Sequence, residues 1–127
     1  MQITANSTII YCAHWREAVH FYRDLLGLPV SFEKDDWFIE LRVSGFAHLS
    51  LADAARCTIP AAGGAGITLS WCISDLHALR DKLLDAGVKV SDIAGSGWRL
   101  PYFYAWDPEG TRIEFWCMGD DQTLPDE

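Results

Sequence analysis

Two glycines sixty residues apart, Gly27 and Gly87, constrain this chain more than any other feature. Each ends an amphipathic apolar stripe, and strand-like runs flank the two stripes in the same order. The first stripe falls at Trp15, Ala18, Val19, Tyr22, Leu25 and Leu26, the spacing of one helix face. Gly27 supplies its left-handed stop, and Pro29 bars continuation. A strand over Thr8 to Cys12 precedes it. Runs over Val30 to Glu33, Trp37 to Val43 and Phe46 to Leu51 follow, with turn signals at Asp35-Asp36 and Ser44-Gly45. The second half repeats the order. A strand over Gly66 to Ile73 leads to Ser74 as N-cap of a helix carrying Leu76, Leu79, Leu83 and Ala86. Val88-Lys89-Val90, Leu100 to Trp106 and Thr111 to Cys117 complete it, the last two joined by the type I turn Asp107-Pro108-Glu109-Gly110.

A period this long, repeated once, is not a solenoid. It predicts an α+β fold of two tandem β-α-β-β-β modules, residues 7–57 and 66–117, in one domain over 1–118. Ala61 to Gly66 reads as a flexible linker, and 119–127 as a mobile acidic tail. One helix covers only one face of each sheet. Two such sheets curling toward each other make a cup, a natural ligand cavity.

The chain carries 18 acidic and 10 basic residues and has no Lys/Arg cluster, which predicts no nucleic-acid partner and no anionic membrane partner. Four of the acids (Asp120, Asp121, Asp126 and Glu127) fall in the tail, so residues 1–118 hold 14 acids against 10 bases. No signal peptide is visible at Met1 to Asn6, and Pro60 and three glycines interrupt the longest uncharged stretch. Cys12, Cys57, Cys72 and Cys117 have no metal-binding spacing and read as reduced thiols of a cytoplasmic protein. Gly63-Gly64-Ala65-Gly66 lacks phosphate-loop spacing and leads into a strand.

The stretch from Phe21 to Leu28 (Phe-Tyr-Arg-Asp-Leu-Leu-Gly-Leu) and that from Asp107 to Phe115 (Asp-Pro-Glu-Gly-Thr-Arg-Ile-Glu-Phe) resemble the vicinal oxygen chelate superfamily. That group holds glyoxalase I, extradiol dioxygenases, fosfomycin-resistance enzymes and bleomycin-binding proteins, and the resemblance spans about residues 7 to 117. It implies the cup-shaped, glyoxalase-like fold, a small-molecule ligand and a homodimer. In the metal-dependent members of that group four inward side chains hold one divalent ion, so a divalent metal is the one cofactor the resemblance makes possible. Those positions fall on Ser7, His48, Thr68 and Glu114. His48 and Glu114 are metal-ligand candidates. The two hydroxyls are weak neutral donors, which argues against a tight site.

Each candidate has a plainer reading. Glu114 shares a strand face with Arg112 and Trp116, opposite Ile113 and Phe115. It is either a ligand or general base, or a partner of Arg112. His48 is a ligand or proton shuttle, or, as we favour, a histidine bonded beside its sheet. If Thr68 faces the cup, so do Ser70 and Cys72, while Leu69, Trp71 and Ile73 face the helix. Buried packing is the expectation for Cys12 and Cys72. Trp116 is a pocket candidate. Trp98, on the loop Gly95-Ser96-Gly97-Trp98-Arg99, is a lid candidate, with a subunit contact as the alternative. The sequence thus predicts a small-molecule-binding protein of the glyoxalase/bleomycin-resistance type. Ser7, Thr68, Ser70, Trp98 and Trp116 would enclose an aromatic or apolar ligand without a tight metal. The alternative is a divalent-metal lyase, isomerase or dioxygenase using His48 and Glu114. Between them stands metal-free acid–base catalysis with Glu114 as the catalytic residue.

Overall fold

The computed structural model describes residues 1–118, so the tail expected over 119–127 lies outside the described residues. The chain divides into two compact units, Met1–Gly63 and Gly64–Glu127, the division along the sequence falling inside the Ala61 to Gly66 segment.

In the first unit, β1 (Asn6–Cys12), β2 (Val30–Lys34), β3 (Phe38–Ser44) and β4 (Ala47–Asp53) form one sheet in the order β1-β4-β3-β2. β1 and β4 run parallel, and the other pairs are antiparallel. Strand alternation puts Ile10, Cys12, Ile39, Leu41, Leu49 and Leu51 on one face, all buried. The helical segment after β1 buries Ala18, Val19, Phe21 and Tyr22, and Trp15 Nε1 donates to the Leu51 carbonyl at 2.9 Å. Each large side chain buried this way stabilises the unit by about 1.5–3 kcal/mol.

That segment is not one regular helix. α1 covers only Trp15–Val19, and His20–Leu25 continues as a wider π-turn closed by Leu26 N donating to Phe21 O at 2.9 Å. The extra residue per turn buries Phe21 beside Tyr22, in an edge-on ring contact with centroids 4.9 Å apart. Leu25 and Leu26, expected on the buried stripe, are left half-exposed. On the outer side the Arg23 hydrogen bond pulls the Asp24 carboxyl down to about 2, against the cost of desolvation and with a smaller contribution from His20. Exposure makes this a surface pair of small weight.

The second unit holds β5 (Thr68–Cys72), α2 (Leu76–Asp85), β6 (Tyr102–Trp106) and β7 (Arg112–Trp116), with strand order β5-β7-β6. Asp75, not Ser74, caps α2, because its carboxylate accepts from Ala78 N at 3.0 Å. The helix ends as the sequence predicts. Gly87 adopts φ +81°, Gly87 N donates to Leu84 O, and Val88 N donates to Leu83 O, both at 3.0 Å. Leu76, Leu83, Phe103, Ala105, Ile113 and Phe115 form the core, and Trp71 packs edge-on to Phe115 at 6.0 Å.

The strand expected over Val88 to Val90 is reduced to isolated bridges, Val90 with Ala105 and Ala94 with Tyr102. Between them Ser91 Oγ takes the Tyr104 N–H at 2.8 Å, so a side chain replaces a ladder carbonyl. The Ala61 to Gly66 segment also departs from a free linker. Gly64 (φ +80°) lies against the backbone of Gly110 and Thr111, where a Cβ would clash with the Gly110 carbonyl.

Thr111 is fully buried, and its hydroxyl finds no partner among the described residues. Thr111→Val replaces that hydroxyl with a methyl of similar shape and removes a desolvation cost. It is expected to stabilise the protein by about 1 kcal/mol, a rise of a few degrees in Tm. A lower Tm in thermal unfolding would show that the hydroxyl is bonded.

Candidate functional site

The open face of the second sheet carries the polar residues of its strands. Thr68, Ser70 and Cys72 are exposed on β5, whereas Leu69 and Trp71 are half-buried toward the helix. Cys72 is therefore not packed away as expected, although Cys12 is fully buried. On β7, Ile113 and Phe115 are buried, while Arg112, Glu114 and Trp116 stay half-exposed on the opposite face.

Above this face stands the loop between the Ala94 bridge and β6. Ala94 and Tyr102 exchange both backbone hydrogen bonds, at 2.9 and 3.0 Å, and Arg99 N donates to Ser96 O at 2.9 Å. Gly95 (φ +121°) allows the close approach, since a Cβ there would sit 2.7 Å from the Leu100 carbonyl oxygen. The turn presents Trp98, 83% exposed, and Arg99. Arg99 stacks its guanidinium over the Tyr102 ring at 3.9 Å and donates from Nη2 to Glu114 Oε2 at 2.7 Å. Ser70 Oγ donates to the other carboxylate oxygen at 2.8 Å. Both oxygens of Glu114 are thus held, by a cation and by a hydroxyl. Hydrogen bonding with Tyr104 holds Arg99 above its ordinary value, against desolvation and aided by Tyr102 and Glu114, so it stays cationic.

Together Ser70, Trp98, Arg99, Leu100, Tyr102, Glu114 and Trp116 line a cleft of about 420 Å³. Its walls are aromatic, and its floor offers one cation, one anion and a hydroxyl. That arrangement suits a small planar molecule stacked on indole or phenol rings and fixed by a few polar contacts.

Four candidates, Ser70, Trp98, Glu114 and Trp116, meet in this cleft. Thr68 does not join them, and its hydroxyl accepts from Arg112 Nε at 3.0 Å. Arg112 is therefore not the partner of Glu114 that the sequence suggests. The partner is Arg99, fifteen residues away. Sequence reasoning passed over Arg99 and Tyr102, although the alternation of Tyr102, Tyr104 and Trp106 marks a ring-bearing strand face. Ser7 and His48 belong to the first unit. There Ser7 Oγ is hydrogen-bonded to Ser50 Oγ at 2.8 Å, and His48 Nδ1 lies 3.4 Å from the Asn6 carbonyl.

These donors do not fit a divalent ion. Ser7 and Thr68 are neutral hydroxyls engaged elsewhere, and the Glu114 carboxylate is neutralised by a guanidinium. No group of three or more His, Cys, Asp or Glu able to hold a metal occurs among the described residues. Among the same residues, no helix is long and apolar enough to cross a membrane.

Comparison with solved structures shows a shared fold. TnmS3, an antibiotic binding protein from Streptomyces sp. CB03234, is 20% identical with TM-score 0.75, over 92% of this chain and 98% of that one. Lactoylglutathione lyase from Agrobacterium tumefaciens is 20% identical with TM-score 0.70, over 91% and 95%. A superfamily member from Sphaerobacter thermophilus DSM 20745 is 17% identical with TM-score 0.73, over 91% and 98%. No curated protein matches the chain. Residues 4–115 match the family model of the Glyoxalase/Bleomycin resistance protein/Dioxygenase superfamily, and the chain belongs to that superfamily.

Proposed function

We propose that the cleft of the second unit binds a small aromatic or apolar molecule without a tightly held metal. One observation carries this reading: an almost fully exposed Trp98 beside a cleft of about 420 Å³ whose one carboxylate among the described residues is already paired with Arg99. A large apolar side chain left in water at the edge of such a cleft gains from a ligand that covers it. The shared fold does not choose between binding and catalysis, since one of its neighbours is an antibiotic binding protein and another a lyase. Along with this reading goes the homodimer that the superfamily resemblance implies; a monomeric mass in light scattering would remove that part alone.

The test is titration with 2-naphthol, followed by calorimetry and tryptophan emission, with cyclohexanol as a non-aromatic control. Trp98→Ala is expected to weaken 2-naphthol binding about tenfold, the weight of one aromatic contact with its buried area. It should leave Tm unchanged, because Trp98 packs on little. No heat and no emission change in the wild type would overturn the proposal. The metal-dependent alternative requires Arg99 to release Glu114. A stoichiometric divalent ion in protein purified without chelators, lost in Glu114→Ala, would establish it.

A further inference from the structure

The rings of β6 are not bare. Tyr102, Tyr104 and Trp106 alternate onto the face that carries Glu114, and each holds a cation over it. Arg99 lies over Tyr102 at 3.9 Å, Arg112 over Tyr104 at 4.3 Å and Lys89 over Trp106 at 4.4 Å. Among the described residues this face has three cations against one carboxylate, and Arg99 already neutralises that carboxylate. Arg112 donates from Nε to the neutral Thr68 hydroxyl, and no described salt bridge ties Arg112 or Lys89 to an acid. Three other acids of the unit are engaged elsewhere. Asp75 caps α2, Asp92 pairs with Arg80, and Asp107 is buried in its turn. A chain with formal net charge −8 thus has, among its described residues, a locally positive, ring-lined face beside its cleft.

We propose that this face selects a planar aromatic carboxylate, its ring stacked in the cleft at Trp98 and Trp116 and its acid group held by Arg112. The proposal rests on reading the cleft as a small-molecule site and adds the charge of the ligand. Arg112 stands four residues before Trp116 on the same strand face, about 13 Å along the strand. Its guanidinium lies over Tyr104, which pairs with Glu114 between them, so the side chain's reach and the length of a two-ring acid together close that span. Its guanidinium fork matches a carboxylate in plane. Lys89, beyond Trp106, adds attraction at a range that salt screens. A cationic ligand meets the same two charges as repulsion and finds the one described carboxylate taken.

Calorimetry at low ionic strength with 2-naphthoate, 2-naphthol and 2-naphthylmethylammonium tests this. 2-Naphthoate is expected to bind about tenfold more tightly than 2-naphthol, with the ammonium weakest, and added salt should narrow the gap. Arg112→Gln should lower 2-naphthoate affinity about tenfold and 2-naphthol affinity much less. Arg112→Lys, which keeps the charge and loses the fork, should fall between. Equal binding of 2-naphthol and 2-naphthoate overturns the charge selection while the cleft reading stands. So does an ammonium that binds as tightly, or an Arg112→Gln that weakens all three alike. Failure of all three probes overturns both. If Arg112→Gln does not fold, the salt dependence and probe order of the wild type still decide.

Discussion

Glu114→Ala is expected to lower the affinity for a neutral arene at least tenfold while moving stability by about 1 kcal/mol or less. The two effects separate because of where the side chain sits. Glu114 is 22% exposed and Arg99 38%, so solvent screens their attraction and the pair adds little to folding. For the cleft the same residue is a hub. One oxygen takes the Ser70 hydroxyl and the other the Arg99 guanidinium, tying β5, β7 and the Gly95 to Leu100 loop to one carboxylate. Without it Arg99 keeps its contacts with Tyr102 and Tyr104 on β6 but loses its tie to β7, and the neighbouring Trp98 loses part of its placement. Glu114→Gln retains an acceptor for Ser70 and gives up the charge, so its affinity should lie between. The probe must be neutral, such as 2-naphthol, because deleting the carboxylate also makes the face more positive. Calorimetry and thermal unfolding on the three proteins decide the matter. An Ala variant that binds as the wild type does would mean that the ion pair is not part of the ligand floor.

The parts of this arrangement visible in the sequence are those with local causes. Alternation on β7 placed Ile113 and Phe115 in the core and Glu114 and Trp116 on the open face. The stop at Gly87, 60 residues after Gly27, is visible because one left-handed residue closes a helix wherever it occurs. What escaped has long-range causes. The ion pair of Glu114 joins residues fifteen apart, and nothing in the spacing favours Arg99 over the nearer Arg112. The choice is made by the Arg112 guanidinium settling over Tyr104 and against Thr68, partners fixed only once three strands are in register. The π-turn at His20–Leu25 escaped for a related reason. A 3.6-residue stripe does not include Phe21, and only the apolar sheet face behind it makes burying Phe21 worth a wider turn. The missing strand at Val88 to Val90 turns on one hydroxyl, Ser91, displacing a ladder carbonyl.

That same register makes Asp107 the position where a single change should harm folding most. Asp107 is 5% exposed, and its Oδ1 accepts from both Glu109 N and Thr111 N at 2.8 Å. The backbone adds Gly110 N to Asp107 O and Asp107 N to Thr111 O, both at 3.0 Å. Alanine would leave two N–H groups without their acceptor in a turn where Glu109 is 7% exposed and Thr111 fully buried. Asp107→Ala is therefore expected to cost about 3 kcal/mol, roughly 10 °C in Tm. Asp107→Asn keeps the oxygen and loses only charge assistance, so about 1 kcal/mol is expected. The consequence reaches the cleft, because this turn sets Tyr104 opposite Glu114 and Tyr102 opposite Trp116. A one-residue slip would turn Glu114 toward the core and Phe115 toward water, so the sheet would sooner unfold than shift. Denaturant unfolding of the three proteins checks the order wild type, Asn, Ala. An Ala variant within 1 kcal/mol of wild type would mean that water satisfies those N–H groups and that the backbone bonds hold the turn alone.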